Sequence, residues 1–464
     1  MATEGLNVSA FTTSLDRDFF KDTPTFPLAR NFAIQSVDAS MVATADASPP
    51  PANGLQAVIA TPEHPPFPTT DPNILGVLGA LKGSFVGSGF NTIFRPSNAA
   101  NRAKSAIDPE LTTEPTLEPL NIAPGMIDDN ILELNLTIES LVFTPRDLGN
   151  IPNRGINAQQ DLNLQGVPYV QTIWDVTNPN TGKADDVPRG IHFEPGIFLH
   201  IPSTTVPPSG PTIARMASIP HGTTINISGQ DAFSSDGPPP LDQIHFTTFP
   251  PSVGQGVFQN LNVDTLGTPR FPPDLTLFKQ NGSITQALVD DPVELLRSIN
   301  AQLLDEDGTS RIIKTDTFII GTDSADGKQS GAATSIPFLA GKNTGTPNAN
   351  VPEVNATFWI ETVNYDVEIP PMQPGESREL PALNPLPGAS LPKFKITAPS
   401  AGFGVGGKVT VPTIQIQYAQ SVMLQFAPAP AAPFNWPHVS VANLVPLAPV
   451  PIDAQWSQDN FHIS

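Results

Sequence analysis

The fold is decided by the stretch Leu81-Lys-Gly-Ser-Phe-Val-Gly-Ser-Gly-Phe-Asn-Thr-Ile93. Its glycines at positions 83, 87 and 89 permit sharp bends of the backbone and the close approach of another strand. Phe85, together with the apolar residues that follow it, supplies side chains for a core. A coiled strand with one aromatic plug is typical of the start of a small closed β-barrel, whose interior is filled by side chains or holds a ligand.

The composition favours many short strands joined by proline-rich loops. The chain of 464 residues contains 54 prolines and 34 glycines, which disfavours long helices. Hydrophobic residues make up 39%, enough for a sizeable core, and charged residues make up 14%, too few for a disordered polyelectrolyte. There is no cysteine, so disulfides, thiolate metal sites and cysteine nucleophiles are excluded.

Charge and hydropathy limit the partners. The formal net charge is 23 − 44 = −21, which repels nucleic-acid phosphates and anionic membranes, so we expect neither as a partner. The N-terminal residues show no basic region followed by an apolar run. No window approaches the roughly 18 apolar residues of a spanning helix. We therefore expect a cytoplasmic protein, and the oligomeric state is left open.

Alternation of apolar and polar residues predicts the strands. In 131–143 four apolar residues from Leu132 to Ile138 fall on one face, while Glu133, Asn135, Thr137 and Glu139 fall on the other. This is the pattern of a half-buried strand. Further strands are predicted at 167–175, 190–201, 213–219, 223–228, 312–320, 356–367, 409–426 and 434–444.

The domain organisation is predicted from the irregular segments. Residues 1–72 form a Pro-rich N-terminal arm, 73–447 an enlarged β-barrel domain, and 448–464 a C-terminal tail. The barrel domain carries a helical insertion at about 284–304, with Pro292 in the first turn of a helix capped by Asp290 or Asp291, and a Pro-rich insertion at about 369–399. No repeat of 20–50 residues appears, so solenoids and propellers are excluded. What remains is an all-β barrel or sandwich.

Several short motifs follow one another in a recognisable order. They are Gly83-Ser-Phe-Val-Gly-Ser-Gly89, Tyr169-Val-Gln171, His192-Phe-Glu-Pro-Gly196, Pro220-His-Gly222 and Pro437-His-Val-Ser-Val-Ala-Asn-Leu444. In this order the chain resembles an enlarged nitrobindin-like protein, a haem-binding barrel of the lipocalin-like (calycin) group. That family opens with a Gly-x-Trp-x-Gly-x-Gly strand, has a His-x-Glu-x-Gly strand in mid-chain, and ends with a strand followed by a histidine and an apolar segment.

The resemblance is collinear over about 83–444 and has three departures. Phe85 stands where the family has tryptophan, Val439 stands where it has leucine, and the chain is far longer than one such barrel. It implies an all-β fold, an antiparallel lipocalin-like barrel with long Pro-rich insertions and one or two short helices.

The resemblance also implies a cofactor and its ligands. It predicts that the barrel holds haem b, with His438 as the proximal ligand of the haem iron. Trp436 would form part of the porphyrin wall, Phe85 would close one end of the cavity, and Arg215 would pair with a haem propionate. The family further implies that ferric haem isomerises peroxynitrite to nitrate.

The same residues fit other interpretations. His192 and Glu194 share one face of a strand. With His200 or His221 they fit a two-histidine, one-carboxylate metal site. Without a metal they are expected to form a structural polar pair, bonded to Arg215 or Tyr169. For Arg215 itself, a salt bridge to Glu194 is favoured over a ligand carboxylate, and His438 also fits a histidine bonded to a backbone carbonyl.

Two further functions stay open. The first is a haem-free carrier or enzyme that takes a lipid, a terpenoid or a pigment, with His192, Glu194, Arg215 and His221 as polar handles and Tyr169 beside them. The second is a filled barrel that serves in protein contacts alone.

Overall fold

The structure is a computed structural model. It describes residues 75–95, 131–144, 151–153, 161–206, 208–220, 222–246, 270–271, 275–322, 328–336, 350–383, 390–426 and 434–452, with residues 155, 158 and 248. The predicted N-terminal arm, His221 and most of the predicted tail lie outside the described residues. No helix in these ranges has the length and apolar character that crossing a membrane requires.

Strands make up most of the described part of the chain. The strands are β1 (Gly83–Arg95), β2 (Ile131–Phe143), β3 (Ile151–Asn153), β4 (Leu162–Asn178), β5 (Lys183–Ile201), β6 (Thr204–Thr205), β7 (Pro208–Ser209), β8 (Thr212–Ile219), β9 (Thr223–Gln230), β10 (Phe233–Asp236), β11 (Arg270–Phe271), β12 (Ile312–Gly321), β13 (Ser330–Ser335), β14 (Asn350–Ile369), β15 (Ser377–Pro381), β16 (Lys393–Thr397), β17 (Gly407–Phe426), β18 (Phe434–Pro446) and β19 (Val450–Ile452). The helices are α1 (Thr276–Asn281), α2 (Gln286–Asp290) and α3 (Glu294–Asn300), with 3-10 turns at Gly76–Ala80 and Leu241–Gln243.

The predicted all-β barrel is confirmed. Within the described residues β1, β2, β4, β5, β8, β9, β12, β14, β17 and β18 follow one another around a ring, each antiparallel to the next. β18 returns to β1, and β9 meets β12 through the pair Gly321 and Ser228. The sheet closes on itself because β18 pairs with β1 and β9 pairs with β12. The strands follow one another around the ring in chain order, as in an up-and-down barrel.

The two later glycines of the opening stretch let other groups approach β1. A Cβ on Gly87 would lie 1.8 Å from the backbone oxygen of Asn443 on β18. A Cβ on Gly89 would lie 2.6 Å from Oε1 of Glu139 and 2.7 Å from Oγ1 of Thr137 on β2. The predicted close approach is therefore real, and it makes room both for a neighbouring strand and for a carboxyl inside the barrel.

One end of the barrel is closed by apolar side chains. The 3-10 turn directly before β1 buries Leu78 completely, and Leu75 and Leu81 join it in one core cluster. Phe85 belongs to the same cluster and contacts Phe143 edge to face, with ring centroids 6.0 Å apart. These residues fill the end of the barrel at which β1 begins.

The helical insertion covers part of the outer face. A second cluster joins Phe278 of α1, Leu288 of α2 and Leu296 of α3 to Phe90 and Trp359, which alternate with interior residues on β1 and β14. The predicted helical insertion at about 284–304 consists of two helices, α2 and α3, with a break at 291–293, and α1 precedes them. Pro292 lies two residues before α3 and not in its first turn. Proline at 292 removes the amide that would continue α2 into α3.

The prediction of a half-buried β2 holds for only the second part of the strand, because the outer face is exposed at Ile138 and Val142 but buried at Leu134 and Leu136. Leu134 and Leu136 pack in the outer cluster beneath the helices. The polar face, represented by Thr137 and Glu139, points into the barrel and is 1% and 0% exposed. The apolar face of β2 is therefore the outer face, and the polar face is the inner one.

The predicted Pro-rich insertion contains structure of its own. β15 and β16 pair antiparallel, and β16 pairs in parallel with β19, which lies in the predicted tail. Phe394, Ile396 and Ile452 of this small sheet share a core cluster with Tyr365 and Val367 of β14.

Candidate functional site

The centre of the barrel interior is an ion pair. Arg215 on β8 and Glu194 on β5 are 2% and 0% exposed. Nη2 of Arg215 donates to Oε1 of Glu194 at 2.5 Å, and Nε donates to the same oxygen at 3.1 Å. The hydroxyl of Tyr169 donates to this oxygen and accepts from Nε of Arg215 at 2.7 Å. The predicted polar pair of Glu194 with Arg215 and Tyr169 is therefore observed.

The arginine also reaches across the ring. Its Nη1 donates to Oε1 of Gln420 on β17 at 2.6 Å, although three strands separate β8 from β17 on the shorter path. The guanidinium carbon lies 5.7–5.9 Å from the ring centroids of Tyr169, Phe198 and Phe358. Each nitrogen of Arg215 thus has a partner within the protein, and aromatic faces surround the charge.

Electrostatics keep this pair ionised. Burial alone opposes ionisation of Glu194, but the charge of Arg215 and the hydrogen bonds from His192 and Tyr169 outweigh it and lower the pKa of Glu194 to about 2. The pKa of Arg215 is raised by the charge of Glu194, although burial acts against it. Desolvation raises the pKa of Tyr169, so this hydroxyl keeps its proton and serves as a donor.

A second carboxyl lies in the same interior, near His192 but without an arginine or lysine partner among the described residues. Glu139 on β2 is fully buried and accepts from the hydroxyl of Tyr418 at 2.5 Å and from Thr137 at 3.1 Å. Gln171 donates to Tyr418 at 3.0 Å and to Glu139 at 3.4 Å. Burial raises the pKa of Glu139 to about 7 against these hydrogen bonds, so this carboxyl takes up a proton near neutral pH.

The two predicted histidines of β5 lie apart. Nε2 of His192 is 3.3 Å from Oε2 of Glu194, so His192 joins the ion pair. His200 instead lies with Nε2 3.5 Å from Oδ1 of Asp231. The described residues contain no group of three His, Cys, Asp or Glu side chains that suits a metal ion. His221, the other predicted partner, is outside the described part.

His438 lies on β18, near the finish of β1 and so away from the end that Leu78 closes. Its Nδ1 is 2.6 Å from the backbone oxygen of Thr92, and its ring is half-buried. This is the contact that the alternative interpretation of His438, a histidine bonded to a backbone carbonyl, predicts. A carbonyl only accepts, so Nδ1 carries the hydrogen and the lone pair of the neutral ring is on Nε2. This is the tautomer of a histidine that ligates a metal through Nε2 while its other nitrogen is held by a carbonyl.

The remaining predicted residues have defined neighbours. Trp436 is 1% exposed and stacks on Phe94 with ring centroids 4.0 Å apart, in the cluster beneath the helices. Phe85 lies in the apolar cluster at the closed end. The structure thus brings Tyr169, His192 and Glu194 together with Arg215, while Phe85, Trp436 and His438 lie elsewhere.

Sequence reasoning missed the group around Glu139. The partners Gln171, Tyr418 and Gln420 come from strands distant in the chain, and none stands in a motif. One signal was present, because Glu133, Asn135, Thr137 and Glu139 alternate along one strand. Such a polar face suits either solvent or a polar barrel interior.

Comparisons with known proteins add little. No family model matches this chain, and no curated protein matches it. Among solved structures, the crystal structure of Rv2717c from M. tuberculosis matches with a TM-score of 0.28 and 10% sequence identity, over 81% of this chain and 98% of that chain. A likeness of this degree carries no argument, so the functional conclusion depends on the residues themselves.

Proposed function

We propose that the barrel binds a flat hydrophobic ligand, with haem b as the first candidate, and that His438 would hold the haem iron. One observation carries the proposal. Thr92 fixes Nδ1 of His438 through a contact of 2.6 Å, which places the lone pair on Nε2. The half-buried ring stands at the end of the barrel away from the apolar plug, where a flat ligand would keep its polar edge near solvent.

Other residues of the predicted haem site fit less well. Arg215 donates to Glu194, Tyr169 and Gln420, so a propionate would have to displace a buried carboxylate. Trp436 already stacks on Phe94. We therefore assign His438 alone to the haem.

A bound ferric haem supplies a Lewis-acidic centre, and peroxynitrite isomerisation is the activity to assay once binding is measured. In this proposal the chain itself contributes orientation. Thr92 holds the ring of His438 through its backbone oxygen.

The haem-free carrier is the weaker candidate. The residues predicted to bind the polar groups of its ligand were His192, Glu194 and Arg215. These side chains bond to one another instead. At the level of this cluster Phe198 contacts Phe318 and Phe358 on distant strands, with centroids 5.9 and 5.4 Å apart. A ligand at this level would have to separate these aromatic contacts.

The test is a hemin titration of the purified chain, followed by absorbance in the Soret region. The wild type is expected to give a saturable band at one hemin per chain, distinct from that of free hemin. His438→Ala is expected to lose or shift this band, because Nε2 is the proposed iron ligand.

His200→Ala is the matched control, since His200 is also largely buried but pairs with Asp231. It is expected to keep the wild-type spectrum. A wild type without a band ends the haem proposal. An unchanged band in His438→Ala removes His438 as the ligand.

A further inference from the structure

Another buried carboxyl lies on the outer face of the barrel, beneath the helices. Glu361 on β14 is 0% exposed. Its Oε2 accepts from Nε2 of Gln415 on β17 at 2.6 Å, while its Oε1 has no hydrogen-bond partner among the described residues. A buried polar atom without a partner costs free energy, and the cost is larger when the group is charged. Ionisation of Glu361 should therefore weaken the packing of the helices that cover it.

Amide side chains link this position to the end of α3. Asn300, the last residue of α3, exchanges hydrogen bonds of 2.7 and 3.3 Å with Gln417, and its side chain lies near Glu361 and lowers the pKa of that carboxyl. Gln417 in turn donates to Asn443 on β18 at 2.8 Å. The end of α3 is therefore bonded to β17 and, through Gln417, to β18, and Asn300 faces the buried carboxyl of Glu361 on β14.

The groups that face Glu361 carry no positive charge. From α3 the facing side chain is Asn300, from β17 it is Gln415, and from β12 it is Thr315, which lies opposite Glu361 in the register. Tyr365 lies four residues after Glu361 on the same face of β14, and its hydroxyl donates to Gln415 at 3.1 Å. Tyrosine is neutral or anionic, so it supplies no positive charge.

The arginines of the neighbouring elements are engaged elsewhere. Arg297 of α3 forms ion pairs with Asp291 and Glu294, at 2.8 and 3.3 Å. Arg311, just before β12, forms ion pairs with Asp305 and Asp366, at 2.9 and 3.0 Å. None of these four ion pairs involves Glu361.

We propose that Glu361 acts as a proton-controlled latch: its neutral form holds α2 and α3 against the barrel, and its ionised form loosens them. Opening of the helices would hydrate the carboxylate and expose the apolar outer face that includes Trp359. The latch is independent of any ligand in the barrel.

Burial raises the pKa of Glu361 from 4.5 to about 8, and the side chains of Gln415 and Asn300 oppose this rise. The direction of this shift sets the sign of the pH dependence. A group whose pKa is raised in the closed state favours closure fully below 4.5 and loses that effect as the pH rises to 8. The opening equilibrium should therefore grow by up to about tenfold per pH unit in this window and level off above it.

The experiment is amide hydrogen exchange of residues 286–303 in the full chain at several pH values from 5 to 9, corrected for intrinsic exchange. Wild type is expected to show the rise and the plateau. Glu361→Gln keeps the amide network without a titrating group, and its opening should be independent of pH.

Two control variants separate the latch from general destabilisation. Asn300→Ala should raise opening at every pH and keep the slope, because Glu361 still titrates. Glu139→Gln removes a buried carboxyl inside the barrel and should keep the slope of residues 286–303. A wild type without pH dependence in this segment overturns the latch, as does a Glu361→Gln variant that keeps the wild-type slope.

Discussion

Replacement of Arg215 by methionine is the sharpest probe of the barrel interior. Methionine has a similar length and no charge, so it leaves Glu194 buried without its cation. Two carboxyls of the same chain show what such a site does, since burial without an arginine or lysine partner among the described residues raises the pKa of Glu139 to about 7 and that of Glu361 to about 8. The pKa of Glu194 should therefore move from about 2 towards that range.

The magnitude follows from this shift. A change from about 2 to about 7 is five pKa units, which at about 1.4 kcal/mol each sets a ceiling of about 7 kcal/mol on the loss of stability at pH 7. Relaxation and water penetration lower it, and the removal of one partner from a buried ion pair costs about 3–5 kcal/mol. We expect a loss of that size in the free energy of unfolding.

The assay is urea denaturation at pH 7, followed by tryptophan fluorescence. Arg378→Met is the matched control, because Arg378 pairs with Glu376 at 2.6 Å on the surface, and its stability should stay nearly unchanged. The double variant Glu194→Met with Arg215→Met should lose less than Arg215→Met alone, since no charge stays buried. A loss in Arg215→Met no larger than that of Arg378→Met would refute the reasoning.

Two further predictions concern Glu139 and Gly87. The pKa of Glu139 is raised by burial from 4.5 to about 7, so wild type should lose about 2 kcal/mol of stability from this group as the pH rises from 5 to 7. In urea denaturation at pH 5 and pH 7, the free energy of unfolding of Glu139→Gln should lack this loss. An equal loss in both proteins would contradict the raised pKa of Glu139. Gly87→Ala should lower stability by about 1–3 kcal/mol, because its Cβ would lie 1.8 Å from a backbone oxygen of β18. Gly404→Ala, with no atom within 4 Å of the added carbon, is the control in thermal melts, and equal melting temperatures for the two variants would count against the close approach.

The barrel was predictable because its local signals agree with one another. Glycines at the positions of Gly87 and Gly89 indicated a close approach, and alternation located the long strands. The ion pair of Glu194 with Arg215 was predictable too, since an arginine in an apolar strand needs a buried acid.

The placement of the faces was not predictable from alternation. On β2 the leucines face the helical insertion, and Glu139 faces the interior. A period of two identifies two faces of a strand and does not say which face is covered by a distant segment. The helical insertion that covers the leucines lies far along the chain, so local pattern carried no information about the contact.

The buried acids illustrate the same limit. Glu361 alternates with apolar neighbours on β14, as a solvent-facing residue would. Its burial depends on α3, and its amide partner Gln415 comes from β17. The break between α2 and α3, in contrast, was predictable from the sequence, because Pro292 lacks the amide that a continuous helix would need.

The most direct measurement of the proposed function is the hemin titration of wild type beside His438→Ala. The account predicts a saturable Soret band in the wild type that is lost or shifted in the variant, because Thr92 holds the ring in the tautomer that has its lone pair on Nε2. A wild type without a band, or a variant with the wild-type spectrum, would contradict it.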